Sequence, residues 1–417
     1  MERSVLSKDL SQNSLRPAAP AGRISEVDIV RGFALFGVLL VNMYSFGADS
    51  VAWNGLLDRF AYTIKHFFFD SKSWTLFSML FGFGFALQLS RANRKGLPFV
   101  GIYLRRLAVL FVFGAAHTLL YDGDILMLYA ELGLGLLILC RLPTRWLLVL
   151  AVGLLLIFPF SHLVTPDRDS DIGNDMETVA EARATLELER QTHVYATGSL
   201  GEVAAYNASA IPAIPYEDFN WADSGLAVFA MILLGYVIGR SGVLHNITAN
   251  TASFARVRAW GLGIGLTAMT AELVLTASFG YAVYRPSSAV PTVQLAGDLL
   301  FAFGTVALAL GYASTLVLAA QTSKGRSLLA PLAGVGRMAL TVYLTQSLIF
   351  TSLFYGYGLD MAYRVGPATI SIWALGIFTA QVLGCQWWLR RYRFGPAEWL
   401  WRSLTYLKWQ PMRRDAE

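Results

Sequence analysis

One short stretch of the sequence combines a histidine with two carboxylates in an otherwise apolar region. The segment GAAHTLLYDGDILMLYAELG, residues 114–133, contains His117, Asp122 and Asp124. An imidazole oriented by a carboxylate is the usual general base for taking a proton from a hydroxyl or an amine. The spacing therefore predicts that His117 is a catalytic base and that Asp122 or Asp124 orients it. A structural role stays open, because DGD is also a common turn in which Asp124 would cap the fourth predicted helix.

A second polar set falls on the first apolar segment of the chain. Arg31 follows Asp28 by three residues, and Asn42 follows Arg31 by eleven. At about 100° per residue, eleven steps are close to three whole turns, so the three side chains share one face of a helix. Polar groups inside a membrane are costly and often mark function, so this face predicts a polar path into the bundle. The alternative is a boundary ion pair and an asparagine that bonds a neighbouring helix.

Other residues are suited to binding a phosphorylated ligand or to stabilising an anion. Tyr343 and Asn42 are candidates to donate a hydrogen bond to a developing oxyanion. Lys72 and Glu272 fit snorkelling or helix pairing better, and Glu398 fits an interfacial anchor in an amphipathic segment. Arginine pairs well with phosphate, and the candidate cofactor-binding residues are Asp28, Arg31, Arg105, Arg106 and Arg337.

The composition indicates where these residues must lie. The chain of 417 residues is 55% hydrophobic and only 15% charged, which is too apolar for an ordinary soluble domain. Segments of about 20 mostly apolar residues predict membrane-spanning helices. The sequence therefore predicts an all-α, polytopic membrane helical bundle with about ten transmembrane helices. They are expected at 29–47, 74–89, 104–120, 125–140, 146–162, 226–239, 261–278, 299–320, 339–354 and 368–388.

Basic residues between these segments predict the orientation of the bundle. Arginine and lysine cluster in alternate connections and in the tail, so the positive-inside rule places both termini in the cytoplasm. The formal net charge of +5 is explained by this topology, and no nucleic-acid binding is expected. A weak similarity between residues 77–91 and 229–242 is compatible with an internal duplication. The expected organisation is a disordered cytoplasmic tail (1–22), helices 1–5 (23–163), an acidic extracytoplasmic cap (164–220), helices 6–10 (221–389) and a basic amphipathic cytoplasmic tail (390–417).

Several segments together carry a resemblance to a known family, and it extends over nearly the whole chain from residue 23 to 410. The most specific of them is RRYRFGPAEWLWRSLTY, residues 390–406. The others are DIVRGFALFGVLLVNMYSFG (28–47), LFSMLFGFGFAL (76–87), RRLAVLFVFGAAHTLLYDGDILMLYAELG (105–133) and GRMALTVYLTQSLIFTSLFYGYGL (336–359). The chain resembles the bacterial YeiB-like membrane proteins, a family with a domain of unknown function.

YeiB-like proteins are in turn distantly similar to transmembrane acyltransferases, such as the lysosomal heparan-glucosaminide acetyltransferase. This kinship implies that an acyl group moves from a cytoplasmic acyl-CoA, such as acetyl-CoA, to a small hydroxyl or amine acceptor at or across the membrane. A histidine would assist the transfer. The kinship assigns no role to His117 or to His66, so the role of His117 rests on its own surroundings in the sequence.

Two other functions stay open. A secondary transporter or exporter of a small metabolite would also place polar groups on membrane helices, and a non-catalytic envelope module would act through partners. The sequence shows no paired proline or glycine breaks at matching positions of the two halves, which favours the enzyme. The expected location is the bacterial inner membrane, with the lipid bilayer and a small acceptor as partners. No metal is expected, and a homodimer is compatible with such a bundle.

Overall fold

The protein is described by a computed structural model that covers residues 24–46, 53, 55–161, 185–210, 225–278 and 291–414. Regular secondary structure in these ranges is helical, and one isolated bridge joins Tyr392 to Arg413. Long apolar runs form helices because backbone groups in an apolar environment must bond within their own segment. The helices are α1 (Ser25–Tyr44), α2 (Leu56–Phe68), α3 (Lys72–Arg94), α4 (Val100–Thr118), α5 (Leu126–Leu139), α6 (Thr144–Ser161), α7 (185–197), α8 (Leu200–Ala210), α9 (Leu226–Ser241), α10 (Thr251–Ser278), α11 (Pro291–Ala319), α12 (Ser323–Arg337), α13 (Ala339–Phe354), α14 (Pro367–Arg391) and α15 (Pro396–Tyr406).

The described part of every predicted apolar segment is mostly helical, and the chain forms a membrane helical bundle. Within the described ranges, five helical stretches are long and apolar enough to cross a membrane: α1, α2 with α3, α4, α11 and α14. The pair α12–α13 qualifies as one broken span, bent by 79°. Helices α5, α6 and α9 are also apolar, but their apolar stretches are shorter than 18 residues. The number of ten crossings therefore stays a prediction.

A close crossing of α1 and α12 depends on glycine. A side chain on Gly336 would overlap the backbone carbonyl of Asp28, and one on Gly32 would overlap that of Leu332. Small residues commonly allow membrane helices to approach in this way. The crossing places Arg337, the last residue of α12, beside the start of α1.

The two segments with weak internal similarity pack directly against each other as α3 and α9. A side chain on Gly82 would overlap the backbone of Ile232, and one on Gly235 would overlap the backbone of Met79. Each glycine thus lies against the other helix, at the residue that comes three positions before the glycine of that helix. The two helices run parallel here, because Gly239 lies against Phe83 and Ala86 one turn further along both helices.

Helices α7 and α8 cover the end of the bundle where α4 turns into α5. Gln191 Nε2 donates to Asp122 Oδ2 at 2.8 Å, and the Gly356 amide donates to the Tyr195 carbonyl at 2.7 Å. These two helices belong to the predicted acidic cap. Most of that segment and the predicted tail 1–22 lie outside the described residues.

Candidate functional site

An elongated cavity of about 620 Å³ lies among α1, α3, α4, α13 and α15. Side chains three or four residues apart on α3 line it from Trp74 to Arg91, a span of about 25 Å along the helix axis. A hydrocarbon core is about 30 Å thick, so the cavity extends through most of such a layer. Its middle is apolar and aromatic, and the wall residues on α3 include Trp74, Phe77, Phe81, Gly84, Gln88 and Arg91.

One end of the cavity, called the basic end below, carries a surplus of positive charge. Asp28 and Glu398 contribute two carboxylates there, against five arginines, which gives a formal charge of 5 − 2 = +3. Arg31 Nη1 donates to Asp28 Oδ1 at 2.9 Å and to the Gly336 carbonyl at 3.3 Å. A cleft with one sign of charge attracts ligands of the opposite sign. The arginines of the basic end are Arg31, Arg91, Arg106, Arg337 and Arg402.

Helix α15 closes the basic end and fixes one of these arginines. Trp401 Nε1 donates to the Arg106 carbonyl at 3.0 Å, and the Arg106 guanidinium lies 3.8 Å from the centre of the Trp401 ring. A planar guanidinium stacks well on an aromatic face, so Trp401 orients Arg106. The neighbouring Arg105 donates to the Gly101 carbonyl of its own helix at 3.3 Å and does not line the cavity. The structure thus brings Arg106 into the site and leaves Arg105 outside it.

Glu398 caps α13 from within the bundle. Its Oε1 accepts hydrogen bonds from the backbone amides of Leu340 (2.6 Å) and Thr341 (3.0 Å), and its Oε2 accepts one from the Thr341 hydroxyl (2.6 Å). Burial raises the pKa of this carboxyl, and the hydrogen bonds act in the opposite direction. The prediction that Glu398 is an interfacial anchor is wrong, because its side chain is buried and holds α15 against α13.

The opposite end of the cavity, called the histidine end below, lies beside a His–Asp pair. His117 Nδ1 is 2.7 Å from Asp124 Oδ1, and Asp124 Oδ2 accepts the Met127 amide at 2.9 Å. A carboxylate can only accept hydrogen bonds, so Nδ1 carries a proton and donates it. In a neutral ring, Nε2 then bears a lone pair. Nε2 is buried and has no hydrogen-bond partner among the described residues, an arrangement that suits a general base.

The wall between His117 and the cavity is thin. Tyr121, Asp124 and Tyr343 line the cavity, and His117 lies directly behind them, with its ring centre 4.9 Å from that of Tyr343. The Tyr343 hydroxyl accepts the Ile125 amide at 3.4 Å, which leaves its own proton available for donation. Burial raises the pKa of the Tyr121 phenol, and so do nearby negative charges, so it is a neutral donor. The histidine end thus offers two phenols beside a base.

The remaining predicted residues fall into two groups. Asp28, Arg31 and Asn42 all line the cavity, so the polar face of α1 does run from the basic end toward the histidine end. Asp122 is exposed and accepts a hydrogen bond from Gln191, so the structure does not bring it to His117. Of the two aspartates in the turn, Asp124 alone contacts the histidine.

Lys72 and Glu272 are buried away from the cavity. Lys72 Nζ donates to the His66 carbonyl at 3.0 Å, and His66 Nε2 is 3.4 Å from Glu272 Oε2. Helix pairing therefore describes both residues better than snorkelling does. In the described part of the chain, no group of three His, Cys, Asp or Glu side chains could hold a metal ion.

The sequence reading missed three residues of the basic end. Arg91 was visible as part of a stripe, since Gly84, Gln88 and Arg91 follow helical spacing on α3. Arg402 and Trp401 carried no such signal, because nothing local indicates that a helix near the chain end folds back into the bundle.

The comparisons with known proteins cover nearly the whole chain. It is 33% identical to the "Uncharacterized protein YxaH" of Bacillus subtilis, over 97% of this chain and 100% of that protein. It is 31% identical to the "Uncharacterized protein YeiB" of Escherichia coli, over 91% of this chain and 95% of that protein. An "Uncharacterized 39.9 kDa protein in amylase 3'region" of Bacillus acidopullulyticus is 27% identical over 96% of this chain and 99% of that protein.

A family model described as "Protein of unknown function (DUF418)" matches residues 238–408, which include α10 to α15. This region supplies Arg337, Tyr343 and Arg402 to the cavity. The first half supplies His117 and the polar face of α1, and the relatives match across both halves. The chain therefore belongs to the YeiB-like family of membrane proteins with a DUF418 region.

Proposed function

We propose that the protein is a membrane-embedded acyltransferase that takes its acyl group from an acyl-CoA and transfers it to a small hydroxyl or amine acceptor. The observation that carries the proposal is one continuous cavity with a surplus of arginine at one end and the His117–Asp124 pair at the other. A CoA thioester has the matching asymmetry, with phosphates at one end and the reactive carbonyl at the other.

The length of the cavity supports this donor. Arg106 and His117 are eleven residues apart on α4, or about 17 Å along its axis. This distance is of the order of an extended pantetheine arm. Phosphates held by the arginines of the basic end would therefore place the thioester near Tyr343. The anion position at the start of α13 is already taken by Glu398, so arginines rather than that helix end would hold the phosphates.

The transfer itself needs one base and one oxyanion donor. The Tyr343 side chain first moves aside so that the acceptor reaches His117. His117 Nε2 then takes the proton of the acceptor while the acceptor oxygen or nitrogen attacks the thioester carbonyl. Asp124 keeps the imidazole in the required tautomer and stabilises the imidazolium that forms. Tyr343 or Asn42 donates a hydrogen bond to the tetrahedral oxyanion. Collapse of the tetrahedral intermediate breaks the carbon–sulfur bond and expels the CoA thiolate, which receives the proton from His117.

In the cell, the proposal places the basic end in the cytoplasm, where acyl-CoA is present, and the acceptor outside the bacterial inner membrane. Ten crossings and a homodimer remain part of this proposal. Proton-coupled transport of a small metabolite through the same cavity is the competing function. It predicts no specific affinity for a thioester.

The proposal is tested by thermal unfolding of the detergent-purified protein with acetyl-CoA, CoA or ATP. A ligand at about 100 times its Kd stabilises the folded state by about 2.7 kcal/mol. Acetyl-CoA should raise the Tm and ATP should not. Arg337→Ala should weaken binding roughly tenfold or more, because it removes a charged hydrogen-bond donor from the cavity. Arg105→Ala, outside the cavity, is the control. No rise in Tm with millimolar acetyl-CoA would contradict the proposal.

A further inference from the structure

A second group of buried charges lies outside the cavity, where α2, the α2–α3 turn, α10 and α11 meet. Glu272 and both lysines of this group are almost completely buried. None of these residues takes part in the chemistry proposed above. The group consists of Lys65, His66, Asp70, Lys72 and Glu272.

The His66 ring lies between two carboxylates, one in the α2–α3 turn and one on α10. Nδ1 is 3.3 Å from Asp70 Oδ2 in the α2–α3 turn, and Nε2 is 3.4 Å from Glu272 Oε2 on α10. A neutral imidazole has one N–H and one lone pair, so it can donate to only one carboxylate. Its other nitrogen would then turn a lone pair toward a carboxylate oxygen, which is repulsive. Both contacts are favourable when each ring nitrogen carries a proton.

We propose that His66, Asp70 and Glu272 form a proton-binding site in which His66 is an imidazolium that bridges α10 to the α2–α3 turn. The ligand of this site is a proton. The proposal concerns residues that do not line the cavity, and it does not depend on the transfer chemistry.

Two lysines also face the carboxylates beside His66. Lys65 Nζ is 3.3 Å from Asp70 Oδ2, and the Lys72 ammonium interacts electrostatically with Asp70 and Glu272. Asp298 is also buried and lies on α11, one turn before the Phe301 ring that stacks on His66. Both carboxylates beside His66 therefore have a second cationic partner.

The bound proton has a structural consequence. The contact between His66 and Glu272 ties α10 to α2, and the contact between His66 and Asp70 extends this link to the α2–α3 turn. Lys72, whose ammonium donates to the His66 carbonyl, is followed by Ser73 and Trp74, which line the cavity. Loss of the proton removes one of the two bridges and releases α10 from the turn that precedes the cavity wall.

The test is nitrogen-15 NMR of the full-length protein in lipid, labelled at its five histidines. Protonated and bare imidazole nitrogens have well-separated chemical shifts, and His66→Gln identifies the His66 signals. We expect two protonated nitrogens for His66 at pH 7 and loss of one proton at alkaline pH. Glu272→Gln should make His66 neutral at pH 7. His245→Gln, on an exposed residue, should remove its own signals only.

A wild-type spectrum in which His66 has one bare nitrogen at pH 7 would overturn the proposal, and this result does not depend on Glu272→Gln. A Glu272→Gln protein that folds but keeps the wild-type titration of His66 would also overturn it. The protection of the α10 amides, corrected for the intrinsic pH dependence of hydrogen exchange, should fall when His66 loses its proton, and unchanged protection would refute the bridge. His117 gives separate signals in the same spectra, so the proposed base is tested independently.

Discussion

Asp124 uses both of its carboxylate oxygens, one on the His117 ring and one on the Met127 amide at the start of α5. The same side chain therefore caps a helix and fixes a tautomer. Asp122 and Asp124 both follow His117 within two helical turns in the sequence, and spacing could not choose between them. The choice depends on the path of the turn, which points Asp122 toward Gln191 instead.

Asp124→Asn should abolish most of the transfer without changing the shape of the turn. An asparagine can present its amide N–H to Nδ1, which favours the tautomer with the proton on Nε2 and removes the base. We expect the transfer rate to fall roughly 10²–10⁴-fold. The measurement is the release of free CoA from acetyl-CoA in membranes that contain the natural acceptor. Asp122→Asn should keep the wild-type rate, and equal rates for the two variants would contradict the role of Asp124.

At the scale of the elements, helix positions are predictable because apolar character is a local property of the sequence. The folding back of α15 is not local. Its anchor joins Glu398 to the backbone of Thr341, 57 residues earlier, at a bend between α12 and α13. No local sequence pattern predicts the bend between α12 and α13, and none predicts that Glu398 caps α13. The amphipathic pattern of α15 was visible, but the residues that the helix buries most completely are polar, namely Glu398, Ser403 and Thr405.

Glu398→Gln should destabilise the attachment of α15. The neutral amide accepts weaker hydrogen bonds than a carboxylate, and its N–H₂ group would face the Thr341 hydroxyl, which donates to Glu398 in the wild type. Leaving a buried donor unsatisfied costs about 1–3 kcal/mol, so the Tm in detergent should fall. Glu189→Gln on the exposed surface of α7 changes the same charge and should leave the Tm unchanged. Equal melting temperatures for the Glu398 variant and the wild type would show that the cap contributes little.

At the scale of the whole molecule, one cavity connects residues from the two ends of the sequence, such as Arg31 and Arg402. The polar face of α1 was predictable from helical spacing, and so was the membrane bundle. The convergence of α1, α3, α4, α13 and α15 was not, because it depends on helix packing at positions such as Gly32 and Gly336. The middle of the cavity joins the arginines of the basic end to the His117–Asp124 pair of the histidine end.

The most direct test is equilibrium binding of labelled acetyl-CoA to wild type, Gly84→Leu and Gly376→Leu. Gly84 lines the middle of the cavity with nothing within 4 Å of where a side chain would begin, so leucine would obstruct the cavity without a backbone clash. A side chain at Gly376, on the exposed face of α14, would also begin with nothing within 4 Å, so Gly376→Leu is the matched control. We predict tight binding to wild type and Gly376→Leu, and at least roughly tenfold weaker binding, about 1.4 kcal/mol, to Gly84→Leu. Equal affinity of all three proteins for acetyl-CoA, or no binding to wild type, would contradict a thioester site in this cavity.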